Sequence, residues 1–307
     1  MIIALGREMG YNEKNRKRVM QMLTKEQFQA QIASGVQILD GATGSNLRKA
    51  GMPEGCCTEE WVINHPDALV TLQRAYAQAG SQIIYAPTFQ AQPVALARVG
   101  LEKQTEAVNA ALVSLSRSAA PGCLIAGDIT TLAAFIETWD PDNYDDMVAN
   151  YRRQIRGLMD GGADLLVGET LLYAQEAEAI WEAARLENAG AVMFTFTMQP
   201  DGSLFSGRDA GIVLHALEEA GAAAVGFNCV AAGDDLPALV QKLRRGVKGP
   251  LICKPNAGLP VAAPDGSTHY SMTPAQFSKI MAACRKNGAV LLGGCCGTAP
   301  EFIAQLV

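Results

Sequence analysis

Short, near-continuously apolar runs recur along this chain roughly every 30–45 residues, about the length of a βα unit. They read QILDGA (37–42), SQIIYAP (81–87), CLIAGDI (123–129) and ADLLVGET (163–170). AVMFTFTM (191–198), AAAVGFNC (222–229), PLICKPN (250–256) and AVLLGGC (289–295) complete the series. Apolarity without alternation marks strands buried on both faces, as in a parallel sheet. The stretches between them carry helical periodicity: 67–78, 104–118, 144–159, 174–186, 210–219, 236–245 and 273–285. Gly80, Gly162, Gly190, Gly221 and Gly288 stand between a helix and the next strand, where a left-handed residue closes a helix. Eight such alternations predict an α/β chain folded as a single (β/α)8 TIM barrel. A doubly wound open sheet is the alternative. The count of eight weighs against it, as does the lack of a G-x-G-x-x-G turn after the first run.

Thr24-Lys25-Glu26-Gln27 has the form of a capping box and opens a first helix before the first strand. The barrel is therefore placed at residues 24–307, with residues 1–23 as an N-terminal helical extension. Apolar Met1 to Leu5 precede Lys14, Arg16, Lys17 and Arg18, the reverse of a signal peptide. No apolar run approaches the roughly 18–20 residues that span a bilayer. The reading is a cytoplasmic protein that engages no membrane. With 25 basic against 31 acidic residues, net −6, the chain lacks the basic stripe that nucleic acid requires. In a reducing compartment its eight cysteines point to metal binding or catalysis rather than to disulfides.

Chemistry in such a barrel sits at the C-terminal strand ends. Those ends carry Asp40-Gly41, Thr88, Asp128, Glu169-Thr170, Asn228-Cys229, Pro255-Asn256 and Cys295-Cys296. Asp128 and Asn256 read equally well as caps of the following helix. The thiols do not, because cysteine hydrogen-bonds weakly. Strands six and eight are two apart, close enough for Cys229 to share an ion with Cys295 and Cys296. Gly293, Gly294 and Gly297 free the backbone so that both adjacent sulfurs can turn the same way. Three thiolates leave the fourth tetrahedral position of Zn2+ open, the pattern of a catalytic site. Buried structural cysteines are the alternative. With only His65, His215 and His269 in the chain, a His-rich hydrolase zinc or a facial-triad iron has too few ligands. Cys123, Cys253 and Cys284 read as core, and Cys56-Cys57 as a loop after the first strand. Zinc on three thiolates carries −1. A bound substrate thiolate brings this to −2 and stays nucleophilic, which suits alkyl transfer to a thiol rather than hydrolysis.

ILDGATGSNL (38–47), AGSQIIYAPTF (79–89), GADLLVGET (162–170), GFNC (226–229), KPNAGLP (254–260) and GGCCGTAP (293–300) occur in that order. Together they resemble the homocysteine S-methyltransferase family, most closely the homocysteine-binding barrel of cobalamin-dependent methionine synthases. DGSLFSGR (201–208) adds to that likeness. The resemblance implies zinc on Cys229, Cys295 and Cys296 and a homocysteine thiolate that takes up a methyl group to give methionine. It implies that Glu169 binds the substrate ammonium and that Asp40 and Gly41 lie at the amino-acid end. Thr88 and Asn228 are weaker carry-overs as substrate-binding residues, acting from behind. The chain departs from the family pattern at Tyr85-Ala86-Pro87 and over residues 261–270, which alters the wall facing the methyl donor. The expected partners are L-homocysteine and either a small donor such as S-methylmethionine or a separate methyl-corrinoid protein. Tyr85, Trp139 and Asp128 are candidates for a donor-facing wall. The expected assembly is a monomer or homodimer. Competing readings are a corrinoid-linked component with another acceptor thiol, a non-catalytic zinc- or thiol-binding relative, and a zinc hydrolase.

Overall fold

The computed structural model describes residues 22–262 and 268–307. The strands are β1 (Gln37–Ile38), β2 (Ile83–Tyr85), β3 (Leu124–Thr130), β4 (Leu165–Leu171) and β5 (Val192–Phe196). They continue as β6 (Ala224–Ala231), β7 (Leu251–Asn256), β8 (Pro260–Ala262), β9 (Thr268–Tyr270) and β10 (Leu291–Leu292). All but β8 and β9 form one parallel sheet of eight in the order β1-β10-β7-β6-β5-β4-β3-β2. A parallel bridge between Leu39 and Ile83 joins its two ends into a ring. Helices surround it, giving the expected (β/α)8 barrel. β8 and β9 form an antiparallel pair beyond β7 that periodicity did not foresee.

The helices Pro66–Gln78, Thr105–Ala119, Tyr144–Asp160, Ala174–Leu186, Ala210–Ala220, Leu236–Arg244 and Pro274–Lys286 match the seven periodic stretches. Their buried faces meet the outward faces of the strands in one continuous core, with Ile155, Ile180, Phe194 and Phe227 among its members. Gly80, Gly162, Gly221 and Gly288 take positive φ at the helix ends, as expected. Gly190 does not. Asn188, at φ 54°, closes that helix instead. Gly190 is required for another reason: a Cβ there would lie 2.3 Å from the carbonyl oxygen of Leu23.

The helix Lys25–Ile32 opens with the predicted capping box, in which Thr24 and Gln27 exchange hydrogen bonds of 3.2 and 2.9 Å. It closes the floor of the barrel. Phe28 and Ile32 are buried against the interior side chains Leu39, Ile83, Leu165, Met193 and Leu291. Leu23 fixes the approach: its N–H donates to the Asp164 carbonyl at 2.9 Å and its carbonyl accepts from Ala191 at 2.7 Å. Residues 1–21, the bulk of the expected extension, lie outside the described residues. Among the described residues no helix is long and apolar enough to cross a membrane.

Candidate active site

Toward the C-terminal strand ends the barrel interior changes from hydrocarbon to charge. Lys254 of β7 is 3% exposed, and its Nζ lies 3.1 Å from Glu169 Oε1 and 3.6 Å from Asp40 Oδ1. The same Nζ sits 4.7 Å over the Tyr85 ring. These contacts are ionic in kind. Neither carboxylate oxygen has a partner in hydrogen-bond geometry. The other oxygen of Asp40 accepts the Tyr85 N–H at 2.8 Å. Asp128 is buried beside them, with Oδ1 unpartnered.

Three carboxyls therefore face one ammonium. Burial pushes Asp40 up to about 7, against the opposing pull of Lys254 and the Tyr85 N–H. Burial also raises Asp128 and Glu169, while the negative charge of Glu169 raises Asp128 further. Lys254 stays charged because Glu169 and Asp40 outweigh the effect of its own burial. Orphaned acceptors in a dry interior are costly, and a site that binds a cation is one setting that retains them.

Glu169 and Asn228 each precede a break in regular pairing. The register shifts between Gly168 and Leu171 on β4 and between Asn228 and Ala231 on β6. Thr170 and Cys229 take φ of 59° and 56°, a region that non-glycine residues enter at a cost of roughly 1–3 kcal/mol. Such bulges re-aim side chains at the rim of a barrel. Asn228 ties the two together. Its Oδ1 accepts the Thr170 N–H at 2.9 Å and its Nδ2 donates to Thr170 Oγ1 at 2.6 Å. The same Nδ2 lies 3.7 Å from Cys295 Sγ.

The sulfurs of Cys229, Cys295 and Cys296 lie within 4.8 Å of one another. Among the described residues this is the one group of three or more His, Cys, Asp or Glu with ligand atoms so close. Its turn is held by the Cys295 N–H on the Pro255 carbonyl at 2.7 Å and the Cys296 N–H on Asn256 Oδ1 at 3.0 Å. Asn256 thus supports the thiol turn and caps no helix. Of the three glycines expected to free the backbone, only Gly297 has positive φ, at 82°. Gly293 and Gly294 serve close packing instead: a Cβ on Gly294 would sit 2.3 Å from Thr298 Oγ1. Cys296 ionises most readily, because Cys229 and Cys295 donate to its sulfur. Zinc–sulfur bonds of about 2.3 Å place tetrahedral ligands roughly 3.8 Å apart, so the all-sulfur set fits one such ion with a position to spare.

The remaining candidates are positioned as follows. Thr88 is fully buried; its hydroxyl donates to the Asp128 carbonyl at 2.8 Å and accepts the Asp128 N–H at 3.0 Å. Gly41 backs onto Tyr76, whose hydroxyl would lie 2.6 Å from a Cβ there. Tyr85 points into the barrel interior beneath Lys254, while Trp139 is half exposed and stacks obliquely on Tyr173. Cys123, Cys253 and Cys284 are buried core residues, and the Cys57 thiol turns to Glu59 at 3.3 Å. Sequence reasoning missed Lys254. The signal was a lysine inside the apolar run PLICKPN, which on a doubly buried strand demands a countercharge inside. It also missed Tyr270 of β9, whose ring packs over Gly297 beside the thiol turn.

A family model described as homocysteine S-methyltransferase matches residues 37–307. The chain is 28% identical to a homocysteine S-methyltransferase of Escherichia coli, over 88% of this chain and 94% of that protein. It is 26% identical to a methionine synthase of Mycobacterium leprae over 90% of this chain, which spans only 24% of that longer protein. The metallated form of the Escherichia coli homocysteine methyltransferase MmuM superposes with a TM-score of 0.76 at 27% identity, covering 91% of this chain and 98% of that one.

Proposed function

The chain belongs to the homocysteine S-methyltransferase family, and from that premise we propose that it methylates the thiolate of L-homocysteine to give methionine. The observation that carries this reading is the convergence of three sulfurs beside an interior lined with buried carboxyls. Cys229, Cys295 and Cys296 are the residues that would hold zinc. Bound there, zinc would lower the acceptor thiol's pKa and keep it as thiolate.

The chain's own residues do the rest. Glu169 and Asp40 receive the substrate ammonium, each through an oxygen whose neighbour is the Lys254 ammonium, in ionic contact outside hydrogen-bond geometry. Gly41, in the turn after β1, lets Tyr76 and Thr298 pack against that turn at the amino-acid end of the substrate. Thr88 holds the backbone of Asp128, and Asn228 holds the Thr170 bulge, so both act by positioning. In the reaction a sulfur lone pair forms the new C–S bond. The bond from methyl to donor breaks, and its electron pair leaves with the donor. The proton of the acceptor thiol passes to solvent. The donor in this reading is a separate methyl-corrinoid protein or a small sulfonium such as S-methylmethionine.

The test is methionine formation from L-homocysteine by zinc-loaded protein, read by mass spectrometry. S-methylmethionine, methylcobalamin, betaine and methyltetrahydrofolate are offered one at a time. Turnover with S-methylmethionine identifies a self-sufficient enzyme, and turnover with methylcobalamin alone identifies one half of a corrinoid system. No methionine from any of the four, with zinc still bound, counts against the reading.

A further inference from the structure

We propose that Lys254 determines which acceptor thiols this site accepts, admitting mercaptocarboxylates that lack an α-ammonium alongside homocysteine. This rests on the reading that Asp40 and Glu169 face the acceptor's head group. In that reading Lys254 is a resident ammonium in the place where a substrate ammonium would bind. Its Nζ lies 3.1 Å from Glu169 Oε1 and 3.6 Å from Asp40 Oδ1, and neither oxygen has any other partner. The third side of the ammonium faces the Tyr85 ring at 4.7 Å. The ammonium thus faces two carboxyl groups in ionic contact and one π face. The side chain is 4% exposed, so the cation has no solvent to retreat to.

Two consequences follow from charge. A pocket with bare buried carboxylates rejects an analogue lacking the ammonium, because the analogue leaves them unpaired. Here the protein's own ammonium already pairs them, so that penalty is largely absent. A substrate ammonium must also share two carboxylates with a cation already present, and like charges repel strongly in a low-dielectric interior. A substrate carboxylate meets the opposite sign. Lys254 thus weakens the preference for amino-acid thiols and strengthens the attraction for carboxylate-bearing ones.

The test is calorimetric titration of the zinc-loaded full chain with L-homocysteine and with its des-amino analogue, the same thiol acid with hydrogen in place of the ammonium. The expected result is two dissociation constants within about tenfold of each other. Lys254→Met should then favour homocysteine by a further factor of about ten or more, since the carboxylates are left bare. Lys254→Gln, which keeps a polar tip, should shift the ratio in the same direction and serves if the methionine variant does not fold. A wild-type protein that prefers homocysteine by more than about tenfold overturns the proposal, as does a ratio that neither variant changes. If neither variant folds, the wild-type ratio alone decides. Binding of neither thiol overturns this proposal together with the homocysteine reading. Binding of homocysteine with rejection of the analogue overturns this proposal alone.

Discussion

The floor and the mouth of this barrel are built from the same strands and obey opposite rules. On β4 the inward residues Leu165 and Val167 give way to Glu169; on β7, Ile252 gives way to Lys254. On β3, Ala126 gives way to Asp128. One step of two residues turns hydrocarbon into buried charge. Below that step the described interior side chains Leu39, Ile83, Leu165, Met193, Ile252 and Leu291 form one apolar cluster with Phe28. Above it lie unpartnered carboxyl oxygens, two left-handed non-glycine residues and three crowded thiols. The difference teaches that the floor supplies stability and the mouth consumes it, as expected where a fold separates packing from chemistry along one axis.

Four measurements would break or sharpen that division. The largest effect belongs to the mouth: Cys296→Ser should weaken zinc binding by more than about 100-fold and abolish methyl transfer while leaving the fold intact. Metal analysis with a thermal melt checks both halves, and full zinc occupancy in the variant would remove Cys296 from the ligand set. Phe28→Ala should do the reverse. It should lower unfolding free energy in urea by about 3–5 kcal/mol, yet leave zinc content and thiol affinity unchanged in the folded protein. Glu169→Ala should weaken homocysteine binding by about 2–4 kcal/mol with zinc retained; unaltered affinity would take Glu169 out of the site.

The smallest effect is a pH slope. Burial lifts Asp40 from an unfolded value of about 4 to about 7 in the native state, and Glu169 and Asp128 shift the same way. The native state then holds protons that the unfolded chain has released. The stabilisation is complete below about pH 4 and is lost as pH rises through 7. Metal-free protein should lose about 1–3 kcal/mol of stability between pH 5 and 8, and Asp40→Asn should flatten that slope. A flat profile in the unmutated protein would mean that Asp40 releases its proton as readily in the folded chain as in the unfolded one.

Most of the ring was legible because its causes are local. A buried parallel strand is apolar at every position, and an amphipathic helix repeats every turn, so 144–159 and 174–186 announce themselves. The thiols at strands six and eight were legible for a similar reason, since strand order alone brings their ends together. What escaped depends on partners far away in sequence. Nothing local shows that Phe28 plugs the floor, because its contacts are Leu165, Met193 and Leu291. Lys254 pairs with residues 214 and 85 positions earlier, Asp40 and Glu169, and a lone lysine does not declare its counterions. The exchange of roles between Asn188 and Gly190 was hidden too, because it is set by the passing backbone of Leu23.

One amide couples what would otherwise be two independent groups of side chains, the buried carboxyls and the thiols. Asn228 clamps the bulge that follows Glu169, immediately precedes Cys229, and reaches toward Cys295. Under the proposed function, redesign of the carboxyl cluster for a new acceptor is therefore not free to ignore the thiols. Substitutions at Thr170 and at Cys229 should be epistatic through Asn228 although no bond joins them directly. Any engineered change of specificity here will have to move both bulges as a single part.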